Sequence, residues 1–269
     1  MNELSIPDVK GEELFKFLKE NKNILIAQKK YNVKRADPFH VTGSFVNNKG
    51  EVVKSAAPVS LDENVLKNST VINTTNWLDS HGDVHIPGLW KKSLGENKGL
   101  YLLQEHSMTF KGIITDEVEA FTKTMTWKEL GLEAPGETQA LIFNNTIYKD
   151  RNPFMFDQYA KGRVKNHSVG MRYVDIQMAI NSEDEYYKDE LAIWNKYIDT
   201  IANKEEAEEK GYFFAVKQAK VIEGSAVPIG SNRITPTLEN KESTAQTPPL
   251  GTFEPPHKTF DIKQILQNF

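Results

Sequence analysis

Short strand-like runs separated by turn signals recur between residues 40 and 125, and they constrain the fold more than any other feature of the chain. The runs HVTGSFV and EVVKSAA flank NNKG, which predicts a hairpin turn at 47–50. The runs KNHSVGMRYVDIQMAI (165–180) and YFFAVKQAKVIEGSAV (212–227) are also rich in β-branched and aromatic residues. The sequence therefore predicts an α+β fold that is mainly β.

Helices are predicted where apolar residues recur every three or four positions, or where capping residues bracket a segment. In 152–162, Asn152 is a preferred N-cap, Pro153 suits the first turn, and Gly162 suits the position just past the helix end. The predicted helices are 11–22, 86–97, 152–162 and 182–210.

The longest predicted helix begins at Ser182, which forms a capping box with Glu185, and ends at Gly211. Its apolar residues form one stripe, which is typical of a helix face that packs on a core. The stripe consists of Tyr187, Leu191, Trp194, Ile198 and Ile201.

Composition divides the chain into three parts. Residues 1–39 combine an amphipathic helix with a basic stretch, which predicts a flexible or partner-docking arm; the alternative is a terminal helix packed on the core. Residues 40–230 form the main domain. Residues 231–269 hold five of the twelve prolines, which predicts a disordered linker that ends in the short amphipathic segment FDIKQILQNF.

Charge and cysteine content exclude several classes of function. Lys and Arg total 33 against 37 Asp and Glu, so no broad basic field favours nucleic acid as a partner. The chain has no cysteine, which excludes disulfides, thiolate zinc sites and a cysteine nucleophile. No apolar run reaches the roughly 18 residues of a membrane-spanning helix, and residues 1–14 lack the basic and apolar regions of a secretory signal.

Two residues are candidates for nucleophilic catalysis. Ser168 lies in a strand-like run, and a serine hydroxyl needs a nearby base to remove its proton. His106 ends the apolar run Leu100–Leu103 and precedes a turn-like segment, so it is well placed to face a site as the general base. His167 adjoins Ser168 but points to the opposite face of a regular strand. Each residue alone is also compatible with an ordinary structural role.

A metal site is the rival interpretation. His81, Asp83 and His85 lie within five residues, and in a strand they would share one face. Their order is not that of the common zinc-hydrolase motifs, and Gly-Asp is frequent in turns. The other two imidazoles, His40 and His257, lie in or next to the terminal arms.

Four segments of the chain carry motifs that can be compared with a known family: DSHGDVHIPGLWKKSL (79–94), LLQEHSMTFKGIITD (102–116), YAKGRVKNHSVGMRY (159–173) and AKVIEGSAVPIGSN (219–232). In this order they resemble the prohead (capsid maturation) protease family of tailed bacteriophages. They are similar to the family's aspartate-rich "GDV…PG" element, its "LL…H" histidine segment, its "SxGF" serine segment and its "EVSxVP" segment.

The resemblance implies a fold like that of the herpesvirus assembly proteases, with a small closed β-barrel surrounded by helices and with flexible N- and C-terminal arms. It implies Ser168 as the nucleophile, His106 as the general base, and Glu223 as the acid that orients the histidine. Asp83 or His81 is the alternative third residue. It implies no cofactor and no metal.

Two positions depart from the family pattern: Met171 stands in place of the usual phenylalanine, and Gly224 in place of the usual apolar residue. The helical segment 182–211 also looks like an insertion between the family's serine and glutamate segments. The oxyanion of an acyl-transfer intermediate would be bound by backbone N–H groups, for which Val169 and Gly170, or the neighbourhood of Arg172, are the candidates.

The resulting expectation is a serine endopeptidase inside the phage prohead, in the host cytoplasm, that cleaves scaffold and major capsid proteins and itself. Self-association is a further expectation; nucleic acid and membranes are not expected partners. One alternative is a catalytically inactive capsid-assembly or scaffolding protein on the same fold. The other is a metal-dependent hydrolase that uses His81, Asp83 and His85.

Overall fold

The structure is a computed structural model that describes the chain in three long stretches and four short strand segments. The long stretches are 4–35, 62–96 and 99–228, and the short segments are 39–40, 44–46, 52–54 and 59–60. The predicted turn at 47–50 and the predicted linker and amphipathic segment at 231–269 lie outside the described residues.

The described residues form six α-helices, thirteen strands and three short 3₁₀ turns. The α-helices are α1 (Glu12–Glu20), α2 (Lys22–Tyr31), α3 (Lys91–Glu96), α4 (Pro153–Ala160), α5 (Lys188–Tyr197) and α6 (Lys204–Lys210). The first seven strands are β1 (Lys34–Arg35), β2 (Phe39–His40), β3 (Ser44–Val46), β4 (Val52–Lys54), β5 (Val59–Ser60), β6 (Val65–Asn73) and β7 (Asp83–His85). The other six are β8 (Leu102–Gln104), β9 (Ile113–Thr115), β10 (Val118–Thr126), β11 (Glu137–Tyr148), β12 (Asn166–Ile180) and β13 (Tyr212–Val227).

These strands form one large sheet and two smaller ones. The seven-stranded sheet has the order β1-β12-β13-β8-β9, with β2 also paired to β12 and β7 to β13. A four-stranded sheet has the order β10-β11-β6-β5, and β3 pairs with β4. The α+β prediction with more strand than helix is confirmed, at 37% strand and 30% helix. Within the described residues the strands do not close into the expected barrel.

The long antiparallel pair β12–β13 forms the centre of the large sheet. Its register runs from Asn166 opposite Val227 to Ile180 opposite Tyr212. On its other edge, β13 pairs in parallel with β8, where Gly224 lies beside Leu102. The strand that carries Ser168 and the segment that carries His106 therefore flank β13 on opposite sides.

The first helices agree with the sequence pattern but not with a flexible arm. Leu14, Phe15 and Leu18, which share one face of α1, are buried in the main core cluster. Lys29 of α2 is buried and forms an ion pair with Asp83 of β7. Residues 12–31 thus pack against the sheet, which was the alternative to the flexible arm, and they belong to the compact unit Met1–Thr235.

Helix α4 confirms its predicted capping. The Asn152 side chain accepts a hydrogen bond from the Met155 backbone N–H, Pro153 occupies the first turn, and Gly162 follows the helix with φ 61°. None of the described helices is both long enough and apolar enough to cross a membrane.

The predicted helix over 182–210 is broken in the structure. A 3₁₀ turn at Ile198–Thr200 separates α5 from α6, and the Asn203 side chain bonds to the backbone N–H and C=O of Leu78 at 2.9 and 3.1 Å. Asp184 rather than Ser182 caps the first turn, because its side chain accepts from Tyr186 N–H. The apolar stripe is buried as predicted, apart from Leu191, which is partly buried, and Gly211 ends α6 with φ 72°.

Candidate active site

His106 lies in a tight turn directly after β8. Glu105 and His106 have φ values of 52° and 57°, and the Ser107 N–H donates to Gln104 C=O at 2.9 Å. Two consecutive non-glycine residues with positive φ are uncommon, and such strain of about 1–3 kcal/mol per residue concentrates at functional sites. The Glu105 N–H also donates to Ala226 C=O at 2.9 Å, which ties this turn to β13.

His106 contacts the side chain of Glu223 directly. Its Nδ1 lies 2.6 Å from Glu223 Oε1, and the Glu223 carboxylate is buried. A carboxylate can only accept, so the Nδ1–H of the imidazole donates, and the Nε2 atom of the neutral ring is left as the basic nitrogen. This arrangement places an imidazole, oriented by a buried carboxylate, at the edge of β13.

Ser168 lies on the same face of the β12–β13 pair as Glu223. It is directly opposite Ser225 in the register, and Gly170 is directly opposite Glu223. Since side chains alternate along a strand, these four positions share one face, with Cβ atoms of directly opposed residues about 4.5–5.5 Å apart. Ser168 is only 1% exposed. The structure thus brings His106 and Glu223 into contact and places Ser168 on the adjoining strand.

Gly170 makes room for the Glu223 carboxylate. A Cβ at position 170 would overlap Glu223 Oε1 and lie 2.8 Å from its Cδ. A glycine two residues after Ser168 therefore has a steric reason, because the Glu223 carboxylate occupies the space that a side chain at 170 would fill. No other amino acid could stand at position 170 without moving the Glu223 side chain.

Gly224 and Met171, the two departures from the family pattern, both face the core. A Cβ at Gly224 would lie 2.7 Å from Cε2 of Phe143 and 3.0 Å from Cδ1 of Ile72. Met171 is fully buried in the main core cluster. Both positions belong to the packing behind the sheet, on the side opposite Glu223.

Asp83 and His85, two members of the rival metal site, belong to a buried polar network instead. Asp83 forms its ion pair with Lys29 and accepts from Tyr173 O–H at 3.0 Å. His85 Nε2 lies 3.0 Å from Tyr173 O–H, and its Nδ1 lies 3.1 Å from Asn73 Nδ2. Within the described part of the chain no group of three His, Cys, Asp or Glu side chains could hold a metal ion. The described residues therefore do not bring His81, Asp83 and His85 together as a set of metal ligands.

The same contacts bear on Asp83 as the alternative to Glu223 for the acid that orients His106. Its two carboxylate oxygens are held by Lys29 and Tyr173, while Glu223 holds His106. The side chain of His81, the other alternative, is 46% exposed and lies 4.0 Å from Asp79.

His167 lies on the opposite face from Ser168, as its position in the strand predicts. It is buried, and its Nε2 lies 2.8 Å from Tyr159 O–H. Burial lowers the pKa of His167 to about 4, so the ring is neutral near pH 7. His167 therefore joins α4 to β12 rather than serving Ser168. Of His40 only the backbone is described, and His257 lies outside the described residues.

The candidates for oxyanion binding have different surroundings. Val169 is fully buried and faces the core, whereas Arg172 is exposed. Their role in binding an oxyanion stays a prediction.

One buried side chain at this site was not identified from the sequence. Ser225 lies between Glu223 and the His106 backbone, with hydrogen bonds to both. Its position two residues after the acid was the available signal, because that spacing places both side chains on one face of a strand.

Comparison of the chain with protein-family models, with curated proteins and with solved structures found no match.

Proposed function

We propose that this protein is a serine endopeptidase in which Ser168 is the nucleophile, His106 the general base and Glu223 the orienting acid. The observation that carries the proposal is the 2.6 Å contact between His106 Nδ1 and Glu223 Oε1, beside the strand that carries Ser168. These residues come from three segments of the chain, and a base with a buried acid behind it is the arrangement that nucleophilic serine catalysis requires.

The reaction is acyl transfer in two steps. Ser168 Oγ attacks the peptide carbonyl while His106 Nε2 takes the hydroxyl proton, and Glu223 stabilises the imidazolium that forms. His106 then gives that proton to the leaving amine, and the C–N bond breaks. In the second step His106 removes a proton from water, which attacks the acyl ester. The ester C–O bond breaks, the carboxylic acid product leaves, and His106 returns the proton to Ser168 Oγ.

The resemblance to prohead proteases supports a specific setting for this chemistry. The substrates would be the scaffold protein, the major capsid protein and the protease itself, inside the prohead in the host cytoplasm. The closed β-barrel of the herpesvirus assembly proteases belongs to the same proposal, and an experimental structure of the whole chain would test it.

The first experiment follows the intact mass of the concentrated protein over time. We expect discrete fragments from the wild type and none from Ser168→Ala, because the nucleophile supplies nearly all of the rate. Ser93→Ala is the matched control, since Ser93 is also buried and bonds to β13 through Val221 N–H at 2.9 Å. Identical fragments from the wild type and Ser168→Ala would contradict the proposal.

The burial of Ser168 favours a second candidate, a catalytically inactive assembly protein. Only 1% of the residue is exposed, and β1 and β2 pair with the outer edge of β12 at Gly170 and His167, on either side of Ser168. A fluorophosphonate probe separates the two functions. Labelling of the folded wild type, abolished in Ser168→Ala and in His106→Gln, supports the protease; a folded protein that stays unlabelled and uncleaved beside its capsid substrate supports the assembly protein.

A further inference from the structure

Ser225 is a fully buried serine with two hydrogen bonds at the candidate active site. Its hydroxyl donates to Glu223 Oε2 at 2.6 Å and accepts from the His106 backbone N–H at 3.1 Å. The direction of both bonds is fixed, because a backbone N–H can only donate and an ionised carboxylate can only accept.

The first bond fixes the rotation of the Glu223 side chain. With Oε2 held by Ser225, Oε1 is the oxygen presented to His106 Nδ1. The Glu223 carboxylate thus has one oxygen for each partner. Without the serine hydroxyl, the carboxylate could turn and both oxygens would compete for the same imidazole N–H.

The second bond fixes the backbone that carries the base. His106 has a left-handed φ of 57°, which is unfavourable for a residue with a Cβ and persists only where the surroundings hold it. The Ser225 hydroxyl accepts the N–H of this residue, while Ala226 C=O accepts that of Glu105. The Ser225 hydroxyl therefore contacts both members of the pair: the side chain of Glu223 and the backbone of His106.

We infer that Ser225 is a positioning residue for the His106–Glu223 pair, acting through the Glu223 carboxylate and the His106 backbone. The inference rests on the proposed function for its effect on catalysis, but the position of the imidazole can be measured without catalysis.

The test observes the His106 ring by NMR in the full-length protein labelled with ¹⁵N-histidine. The His106 Nδ1–H signal is assigned by its loss in His106→Gln. We expect Ser225→Ala to move this signal towards that of a water-exposed imidazole and to speed its exchange with solvent, while Ser225→Thr, which keeps the hydroxyl, restores the wild-type signal. Ser93→Ala, which also removes a buried serine hydroxyl bonded to a backbone N–H, should leave it unchanged.

Turnover provides the second measurement. We expect Ser225→Ala to lower kcat by about 10- to 100-fold with little change in KM, as for other residues that orient a reacting side chain from behind. If Ser225→Thr does not fold, because position 225 is fully buried, Ser225→Cys serves as the conservative variant.

The outcomes separate this inference from the proposed function. A folded Ser225→Ala protein with an unchanged His106 signal overturns the positioning role, whatever its activity. Equal losses of thermal stability in Ser225→Ala and Ser93→Ala with no change in the His106 signal would show a purely structural serine, which also overturns it. A shifted His106 signal in Ser225→Ala, together with a wild-type protein that cleaves nothing, would support the positioning role and contradict the protease function.

Discussion

At the scale of single residues, the face that holds the candidate site depends on the absence of one side chain. Gly170 is opposite Glu223 across the β12–β13 ladder, and a Cβ there would overlap the carboxylate that contacts His106. The constraint on Gly170 is thus one of space, and φ plays no part in it, because 170 is not among the glycines with positive φ.

Gly170→Ala should therefore displace Glu223 and destabilise the protein by about 1–3 kcal/mol, the usual cost of overpacking a well-packed site. Gly95→Ala is the matched control, because a Cβ at that exposed helical position would meet nothing within 4 Å. Gly95→Ala should be neutral or stabilising by up to about 1 kcal/mol. Urea denaturation compares both with the wild type, and equal stabilities for the two variants would refute the steric role of Gly170.

At the scale of elements, the ion pairs of the helical regions differ greatly in burial. Glu190 of α5 is completely buried, and its carboxylate pairs with Lys19 of α1 and with Lys22 of α2. Burial alone would raise the pKa of Glu190, but the hydrogen bonds and charges of the two lysines hold that pKa below its ordinary value. The exposed pair between Glu185 and Lys188 has side chains 82% and 72% exposed.

Glu190→Gln should lower the free energy of unfolding by about 3–5 kcal/mol, because it leaves two lysines beside an uncharged group in a desolvated site. Glu185→Gln, the control, should change it by less than about 1 kcal/mol. Denaturation in urea at pH 7 measures both changes. An unaltered midpoint for Glu190→Gln would show that the ion pairs of Glu190 with Lys19 and Lys22 do not stabilise the fold.

The pH dependence of stability provides an independent test of the contribution of Glu190. Because the folded pKa of Glu190 is depressed, its contribution is complete above the unfolded pKa and is lost as the pH falls through the folded pKa. The wild type should therefore lose stability on acidification below about pH 4.5 more steeply than Glu190→Gln does. Parallel curves for the two proteins over that range would contradict the depressed pKa.

At the scale of the whole molecule, a buried polar network joins the N-terminal helices to the central sheet. Lys29 of α2 pairs with Asp83 of β7, and Asp83 is bonded to Tyr173 of β12, five residues along the strand from Ser168. The Lys29 ammonium also lies 4.4 Å from the centre of the Phe214 ring, a cation–π contact with β13. One lysine therefore links α2 to three strands of the large sheet.

Lys29→Met should destabilise the protein by about 3–5 kcal/mol, because it leaves the Asp83 carboxylate buried without its counter-charge. Adding Asp83→Asn should recover part of that loss, since the unpaired charge is then removed. Lys16→Met is the control, because the Lys16–Glu20 pair is exposed and worth at most about 1 kcal/mol.

Hydrogen exchange shows whether this network couples the helices to the sheet. In the wild type, amides of α1 and α2 should open together with those of β12, while in Lys29→Met they should exchange first. Helical amides that exchange early in both proteins would show that the N-terminal helices unfold independently of the sheet.

The sequence by itself determined the features that depend on a few neighbouring residues. The caps of α4, the burial of the apolar face of α1, the end of α6 at Gly211 and the two long strands with their alternating faces all follow from local propensity and periodicity. The placement of Ser168 and His167 on opposite faces follows from the same alternation.

Only the tertiary structure decided which distant residues meet. The contact between His106 and Glu223 joins residues 117 positions apart, and it depends on the parallel register of β8 with β13. Asn203, which lies between the 3₁₀ turn and α6, bonds to Leu78, 125 positions away, and Asp83 pairs with Lys29, 54 positions away. Local propensity acts over a few residues, whereas these contacts depend on the register and packing of segments that the sequence does not place side by side.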